Sequence, residues 1–362
     1  MPRVARVGVL LVALAVGAAA WVVHGRAPVP MTAGVSSAAL AVASAPQSST
    51  SLLDPLSPTR PAAYDPAARP DAGDWVTARP GFQYSRSPAE RDGVEPCATQ
   101  QVDLSSFSAW QQLAQGQFSA PLGLALDAAG HFDLVIHLHG GEPVRRELAR
   151  SGQSMVLYTL TLEGNQNYAE LFTASRLYQA IVAGVEQALS QRAGRAAHLN
   201  HVALSAWSAG FVGVEAALTQ AVGKDVDAVI LIDGLHAPRG NRAAFEAQLR
   251  PFVAYATRAA AGERFMLVSH SSIDPPDFAS TTECAHYLIA SLGGKPQAVR
   301  RADALGLELV ESFSRGSFYV RGYAGNDKAD HCAQLAVLRE AYAALGRRWS
   351  GAAIQRELIE TK

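Results

Sequence analysis

Between residues 132 and 272, short apolar runs alternate with longer stretches of helical period, and this alternation leaves few architectures open. FDLVIHLHG (Phe132–Gly140), SMVLYTLTL (Ser154–Leu162), HVALSAWS (His201–Ser208), DAVILIDG (Asp227–Gly234) and RFMLVSHSS (Arg264–Ser272) read as strands. PLGLALD (Pro121–Asp127) reads as an earlier strand, joined to Phe132 by a hairpin turn. From Tyr168 to Gln191, Leu171, Ala174, Leu177, Ile181, Val185 and Leu189 recur at steps of three and four, the stripe of an amphipathic helix. Ala209–Val222 and Asn241–Ala260 read as further helices. Runs as continuous as Ala228 to Ile232 suit strands covered on both faces, and helical connections of this length let neighbouring strands run parallel. The expected fold class is therefore α/β, a mostly parallel central sheet flanked by helices.

The N-terminal residues are organised differently. Arg3 and Arg6 precede an uncharged apolar stretch from Val7 to Val23, which reads as an export signal over residues 1–26, either cleaved after an Ala18-x-Ala20 site or retained as a membrane anchor. Residues 27–81 are rich in Ala, Pro, Ser and Thr and read as a flexible tether; residues 82–362 form the globular region. The expected location is extracytoplasmic, with attachment to the membrane through residues 7–23 where the segment is retained. A net charge of -1 with balanced signs offers no stripe for a polyanion, so nucleic acid is not an expected partner. Cys97, Cys284 and Cys332 are too few and too dispersed for a disulfide framework; one bridge is permitted, and the absence of C-x-x-C argues against a thiolate zinc site.

In open parallel sheets, ligands bind outside the carboxyl ends of the strands. His137 and His139 end one strand, Ser208 follows another, Asp233 a third, and His270 with Asp274 a fourth. Ser208 joins a strand to a helix in Ala206-Trp207-Ser208-Ala209-Gly210, with small residues two before and two after, as a serine on a sharp turn requires. A helix cap is the other reading of that serine.

The pentapeptide resembles the nucleophile elbow of the α/β-hydrolase superfamily, with alanine in place of the first glycine of G-x-S-x-G. The resemblance extends over about residues 97–349 and implies a serine hydrolase without a large lid domain, with no cofactor and no metal, that cleaves a carboxylic ester or related acyl bond of a small-molecule substrate. Ser208 would be the nucleophile and His331, after the last strand, the base. The acid is Asp233 or Asp274, with Asp233 preferred because its strand leads directly into Gly234; Glu283 is a weaker candidate because Ser280–Glu283 reads as a capping box. His139-Gly140-Gly141 stands where the superfamily builds its oxyanion hole, which makes Gly140, Gly141 and Ala209 the expected donors. His139, His236 and His270 are expected to order loops or line the pocket, Trp207 to pack under the turn or line the pocket, and His137 has no assigned role. A metal-dependent hydrolase built on His137, His139, Asp233, His270 or His331 is the rival enzyme class; a tethered, non-catalytic binding protein is the third reading.

Overall fold

A computed structural model of the protein describes residues 102–351, apart from 124–125, 163–164, 174–175, 303–306 and 327. The segments read as export signal and tether lie outside the described residues. Among the described residues, no helix is long and apolar enough to cross a membrane.

The chain runs β1 (Gln111–Leu113), β2 (Gly116–Ser119), β3 (His131–Leu138), α1 (Gly141–Ser151), β4 (Val156–Leu160), α2 (Asn165–Thr173), α3 (Arg176–Ala193), β5 (His198–Trp207), α4 (Phe211–Leu218) and β6 (Ala228–Ile232). It continues through β7 (Ala237–Pro238), α5 (Arg242–Ala260), β8 (Phe265–His270), β9 (Phe278–Ala279), α6 (Thr281–Ser291), β10 (Gln297–Ala302), β11 (Glu308–Arg315), β12 (Phe318–Tyr323), α7 (Lys328–Ala333) and α8 (Val337–Trp349). The main sheet has the order β1-β2-β4-β3-β5-β6-β8-β12-β11-β10, and β7 pairs with β9 in a separate short ribbon. From β4 to β12 all neighbours are parallel; β1, β2, β11 and β10 extend the two edges antiparallel. This is the α/β architecture, a mostly parallel sheet flanked by helices, that the alternation of elements implies.

Both faces of the sheet are covered, which explains why its central strands are apolar without interruption. Leu134, Ile136, Val229, Leu231, Met266 and Val268 point to one side, against Phe172 and Ile181 of α2 and α3, Val214 of α4, Leu249 and Phe252 of α5, and Leu288 of α6. The alternate residues Val135, Ile230, Ile232 and Leu267 point to the other, against Val144 and Leu148 of α1 and Leu338, Tyr342 and Leu345 of α8. The period-2 geometry of a strand sorts neighbouring residues onto opposite layers in this way.

From β3 the chain passes first to β4 on one side and later to β5 on the other. The crevice at the carboxyl ends of β3 and β5 is therefore a topological switch point, the place where such sheets bind ligands.

Three details differ from the sequence reading. Pro121–Asp127 is not a strand among the described residues: Pro121 forms only an isolated bridge to Phe107, and Leu122, which the alternation would have placed inward, is exposed. Proline brings no N–H to a ladder, and the edge is supplied instead by the β1–β2 hairpin. The stripe from Tyr168 to Gln191 is shared by two helices, α2 and α3. The last strand expected before His331 is β12, but the antiparallel β10 and β11 beside it, which carry charged residues, were not read as strands.

Candidate active site

At the end of β5 the backbone turns sharply. Ser208 has φ 52°, a 3-10 turn follows over Ser208–Gly210, and α4 begins at Phe211. A residue with a Cβ in the left-handed region costs on the order of 1–3 kcal/mol and persists only where its surroundings impose it. Here they do: a Cβ on Gly210 would lie 2.1 Å from the Leu138 carbonyl oxygen, and one on Gly234 would lie 2.4 Å from the Ser208 carbonyl oxygen. The small residues flanking the serine thus follow from how closely β3 and the end of β6 pass it. Ser208 is buried and does not act as a cap, since neither the 3-10 turn nor α4 receives a capping bond from a side chain.

Asp233 leaves β6 with φ 40° and is 1% exposed. One carboxylate oxygen, Oδ2, accepts a hydrogen bond from His331 Nδ1 at 2.8 Å. The other, Oδ1, accepts from the Ser271 N–H and from the Thr281 hydroxyl, both at 2.8 Å. Burial pushes the carboxyl pKa up, but the His331, Thr281 and Ser271 bonds outweigh it and hold the group below its usual range. Asp274 lies elsewhere, paired with Arg239 at 2.9 Å. Glu283 closes the capping box at the start of α6, its Oε2 accepting from the Ser280 N–H at 2.7 Å.

His331 stands in the last turn of the short helix α7, buried, with Nδ1 committed to Asp233 and Nε2 making no hydrogen bond among the described residues. The Trp207 ring stacks on its imidazole, centroids 4.7 Å apart and planes 27° apart, and the Trp207 indole N–H donates to the His331 carbonyl at 3.2 Å. The residue immediately before Ser208 therefore holds His331 against the serine turn. Trp207 also meets His139, with centroids 5.2 Å apart.

Between β3 and α1, three successive residues have positive φ: His139 (72°), Gly140 (128°) and Gly141 (39°). His137, beneath them and fully buried, fixes this turn. A carbonyl can only accept, so the His137 Nε2–H donates to the His139 oxygen at 2.7 Å, and Nδ1 accepts from the Ser205 hydroxyl at 2.8 Å. The Gly140 N–H faces Thr161 Oγ1 at 3.4 Å, while Gly141 opens α1, where the first amides of a helix have no partner within it. His139 Nδ1 lies 3.2 Å from the Tyr168 hydroxyl.

The other histidines divide. His236 donates from Nδ1 to the Ala279 carbonyl at 3.0 Å and sits edge-on to Phe278, so it ties the end of β6 to the β7–β9 ribbon. His270 points toward Glu311 and His286, away from this constellation. Among the described residues, those three are the group able to hold a metal ion. The H-x-H pair of β3 does not offer two ligand atoms to one point, because both ring nitrogens of His137 are engaged. Cys332 is disulfide-bonded and Cys284 is a buried free thiol.

Sequence reasoning passed over Thr281, Ser271, His286 and Glu311. Thr281 was visible only as the second residue of a capping box. Nothing in its spacing from Asp233, 48 residues away, announces the bond between them.

No family model and no curated protein matches the chain. Solved structures do. The ferric enterobactin esterase of Salmonella typhimurium is 12% identical over 67% of this chain, with a TM-score of 0.38. The siderophore hydrolase EstA of Aspergillus nidulans is 13% identical, covers 69% of this chain and 98% of its own, and has a TM-score of 0.39. An ester hydrolase from the Lake Arreo metagenome is 14% identical over 72% of this chain and 89% of its own, with a TM-score of 0.38. The chain spans 60% of the length of the Salmonella protein.

Burial holds three of these histidines neutral. It lowers the pKa of His137 to about 3 and those of His139 and His236 to about 4; the charge of His331 adds to the effect on His139, and bonds to backbone carbonyls partly offset it in His137 and His236. In the unfolded chain each would protonate near 6.5. Between that pH and about 4 the unfolded state binds more protons than the native state, so stability present above pH 6.5 is lost as pH falls. Urea unfolding at pH 7.5 and pH 5.0 is expected to show a lower midpoint at pH 5.0; equal midpoints would contradict this protonation scheme.

Proposed function

We propose that the protein is an exported serine hydrolase of the α/β-hydrolase type, which cleaves carboxylic esters of small molecules through an acyl-enzyme. The observation that carries this reading is the His331–Asp233 pair. His331 Nδ1 is fixed on a buried carboxylate and Nε2 makes no hydrogen bond among the described residues, Ser208 included, while the ring is stacked on the residue preceding a strained Ser208.

The chemistry follows from that arrangement. Ser208 Oγ attacks the ester carbonyl carbon as its proton passes to His331 Nε2. Asp233 keeps the other nitrogen protonated, which sets the tautomer that can accept at Nε2, and it stabilises the imidazolium that forms. The oxyanion is received by backbone N–H groups of Gly141, at the opening of α1, and Ala209, in the turn after the serine; Gly140 shapes the loop that presents the first of them. The imidazolium then gives its proton to the departing alcohol, leaving Ser208 acylated. Water attacks the acyl carbon next, its proton passing to His331 and then to Ser208 as the carboxylic acid departs. His139 and Trp207 wall the site beside His331. No step calls for a cofactor.

Hydrolysis of short-chain p-nitrophenyl esters by the purified protein separates the candidate roles. Ser208→Ala is expected to remove activity, and Asp233→Asn to lower kcat by about 10³–10⁴-fold, as loss of the tautomer-setting carboxylate does elsewhere. Asp274→Asn should stay within about threefold of the parent. Full activity in Ser208→Ala, or a larger loss in Asp274→Asn than in Asp233→Asn, would overturn the assignment.

Export is the second part of the reading, and it rests on Arg3, Arg6 and the apolar stretch Val7–Val23. Fusing residues 1–26 to a phosphatase that folds only outside the cytoplasm should yield active phosphatase. An inactive, cytoplasmic fusion would contradict it.

A further inference from the structure

Behind the Asp233 anchor lies a second polar cluster that the hydrolytic chemistry does not use. His270 at the end of β8, His286 in the middle of α6 and Glu311 in β11 come together in the interior, with side-chain exposures of 0%, 2% and 9%. Their ligand atoms all lie within 4.8 Å of one another. Both Nε2 atoms approach the same carboxylate oxygen, Glu311 Oε1, at 2.9 Å from His270 and 2.7 Å from His286.

Hydrogen-bond accounting fixes the tautomer of His270. The Thr282 hydroxyl donates to the Ser271 carbonyl at 2.7 Å, so its single proton is spent and its oxygen must accept from His270 Nδ1 at 2.9 Å. The same Nδ1 lies 3.4 Å from that carbonyl, which also accepts only. His270 is therefore protonated on Nδ1. In its neutral form Nε2 is then the nitrogen with a lone pair to offer, 2.9 Å from Glu311 Oε1.

We propose that this cluster holds a divalent transition metal, zinc by its donor set, bound by His270 Nε2, His286 Nε2 and Glu311. Two neutral imidazoles and one carboxylate are a recurrent zinc combination, with metal–donor distances of about 2.0–2.2 Å. A donor nitrogen whose other ring nitrogen is held by a hydroxyl and a backbone carbonyl is the usual outer arrangement of a ligating histidine. Donors at a tetrahedral centre stand about 3.3 Å apart, so the present pairs need to open by roughly half an ångström. Both side chains press on Gly322 of β12, where a Cβ would lie 2.4 Å from His270 Cε1 and 2.5 Å from Glu311 Cγ, so only glycine lets the cluster assemble.

The site is structural in character. It is enclosed by buried side chains, and it joins β8, α6 and β11. Its two supports are chain neighbours of those that hold Asp233: Thr282 follows Thr281, and His270 precedes Ser271. A metal there would brace the backbone that positions the triad carboxylate without entering the reaction.

The test is metal content, which does not depend on activity. The purified full-length protein is equilibrated with zinc, dialysed against metal-free buffer and analysed by mass spectrometry for bound zinc, with thermal melting before and after chelation. About one zinc per chain is expected, with a lower melting temperature after chelation. His286→Gln and Glu311→Gln should each bind zinc at least 100-fold more weakly, and Ser208→Ala should bind it fully. The zinc X-ray absorption spectrum of the unmutated protein should show two imidazoles, a readout that survives misfolding of either variant. Zinc retention no greater in the parent than in the two variants would overturn the proposal, as would a spectrum without the two imidazoles.

Discussion

The carboxylate of Asp233 is the constraint on which the candidate site depends. An ion removed from water must be repaid by hydrogen bonds, and Asp233 receives them from three separate parts of the chain: His331 in α7, Ser271 after β8, and Thr281 at the start of α6. Each bond ties a separate part of the chain to the end of β6. The histidine is thereby placed in one tautomer and one orientation, and its remaining nitrogen stays available. Removing the carboxylate would release all three connections together, so its effects on structure and on chemistry cannot be additive.

Strain complements this anchoring. The four described non-glycine residues with positive φ include His139, Ser208 and Asp233, all at the carboxyl ends of neighbouring parallel strands. The sheet brings β3, β5 and β6 side by side, and each strand leaves it through a turn that the dense packing of its neighbours imposes. Left-handed backbone at residues that carry a Cβ is tolerated where surrounding structure over-determines it, and such places cluster at working sites. His137, buried under the first of these turns and bonded to the His139 carbonyl, shows how the core supports the strain from below.

Much of this was legible in the sequence, and the reasons are local. The strand-to-helix passage at Ser208 advertises itself through Ala206 and Gly210, because steric demands act on adjacent residues. The preference for Asp233 over Asp274 rested on a similar local cue, the direct passage from strand into glycine. The partners of Asp233 were not legible, since Thr281 meets it only through tertiary folding and looks in sequence like part of an ordinary helix cap. The same holds for His286 and Glu311, which share no motif and meet His270 only because α6 packs against β8 and β11 lies one strand beyond β12 in the same sheet. Pro121–Asp127 misled for the opposite reason: its alternation is genuine, but Pro121 supplies no donor and Leu122 faces solvent. Pattern reading sees periodicity; it does not see which edge of the sheet remains to be paired.

Whether Ser208 is the nucleophile, activated by His331 on Asp233, is decided by treating the full-length protein with a fluorophosphonate and identifying the modified residue by peptide mass spectrometry. A single phosphonyl adduct on Ser208 is expected, lost in His331→Ala. No adduct on the folded protein, or an adduct on any other serine, would contradict that role for Ser208.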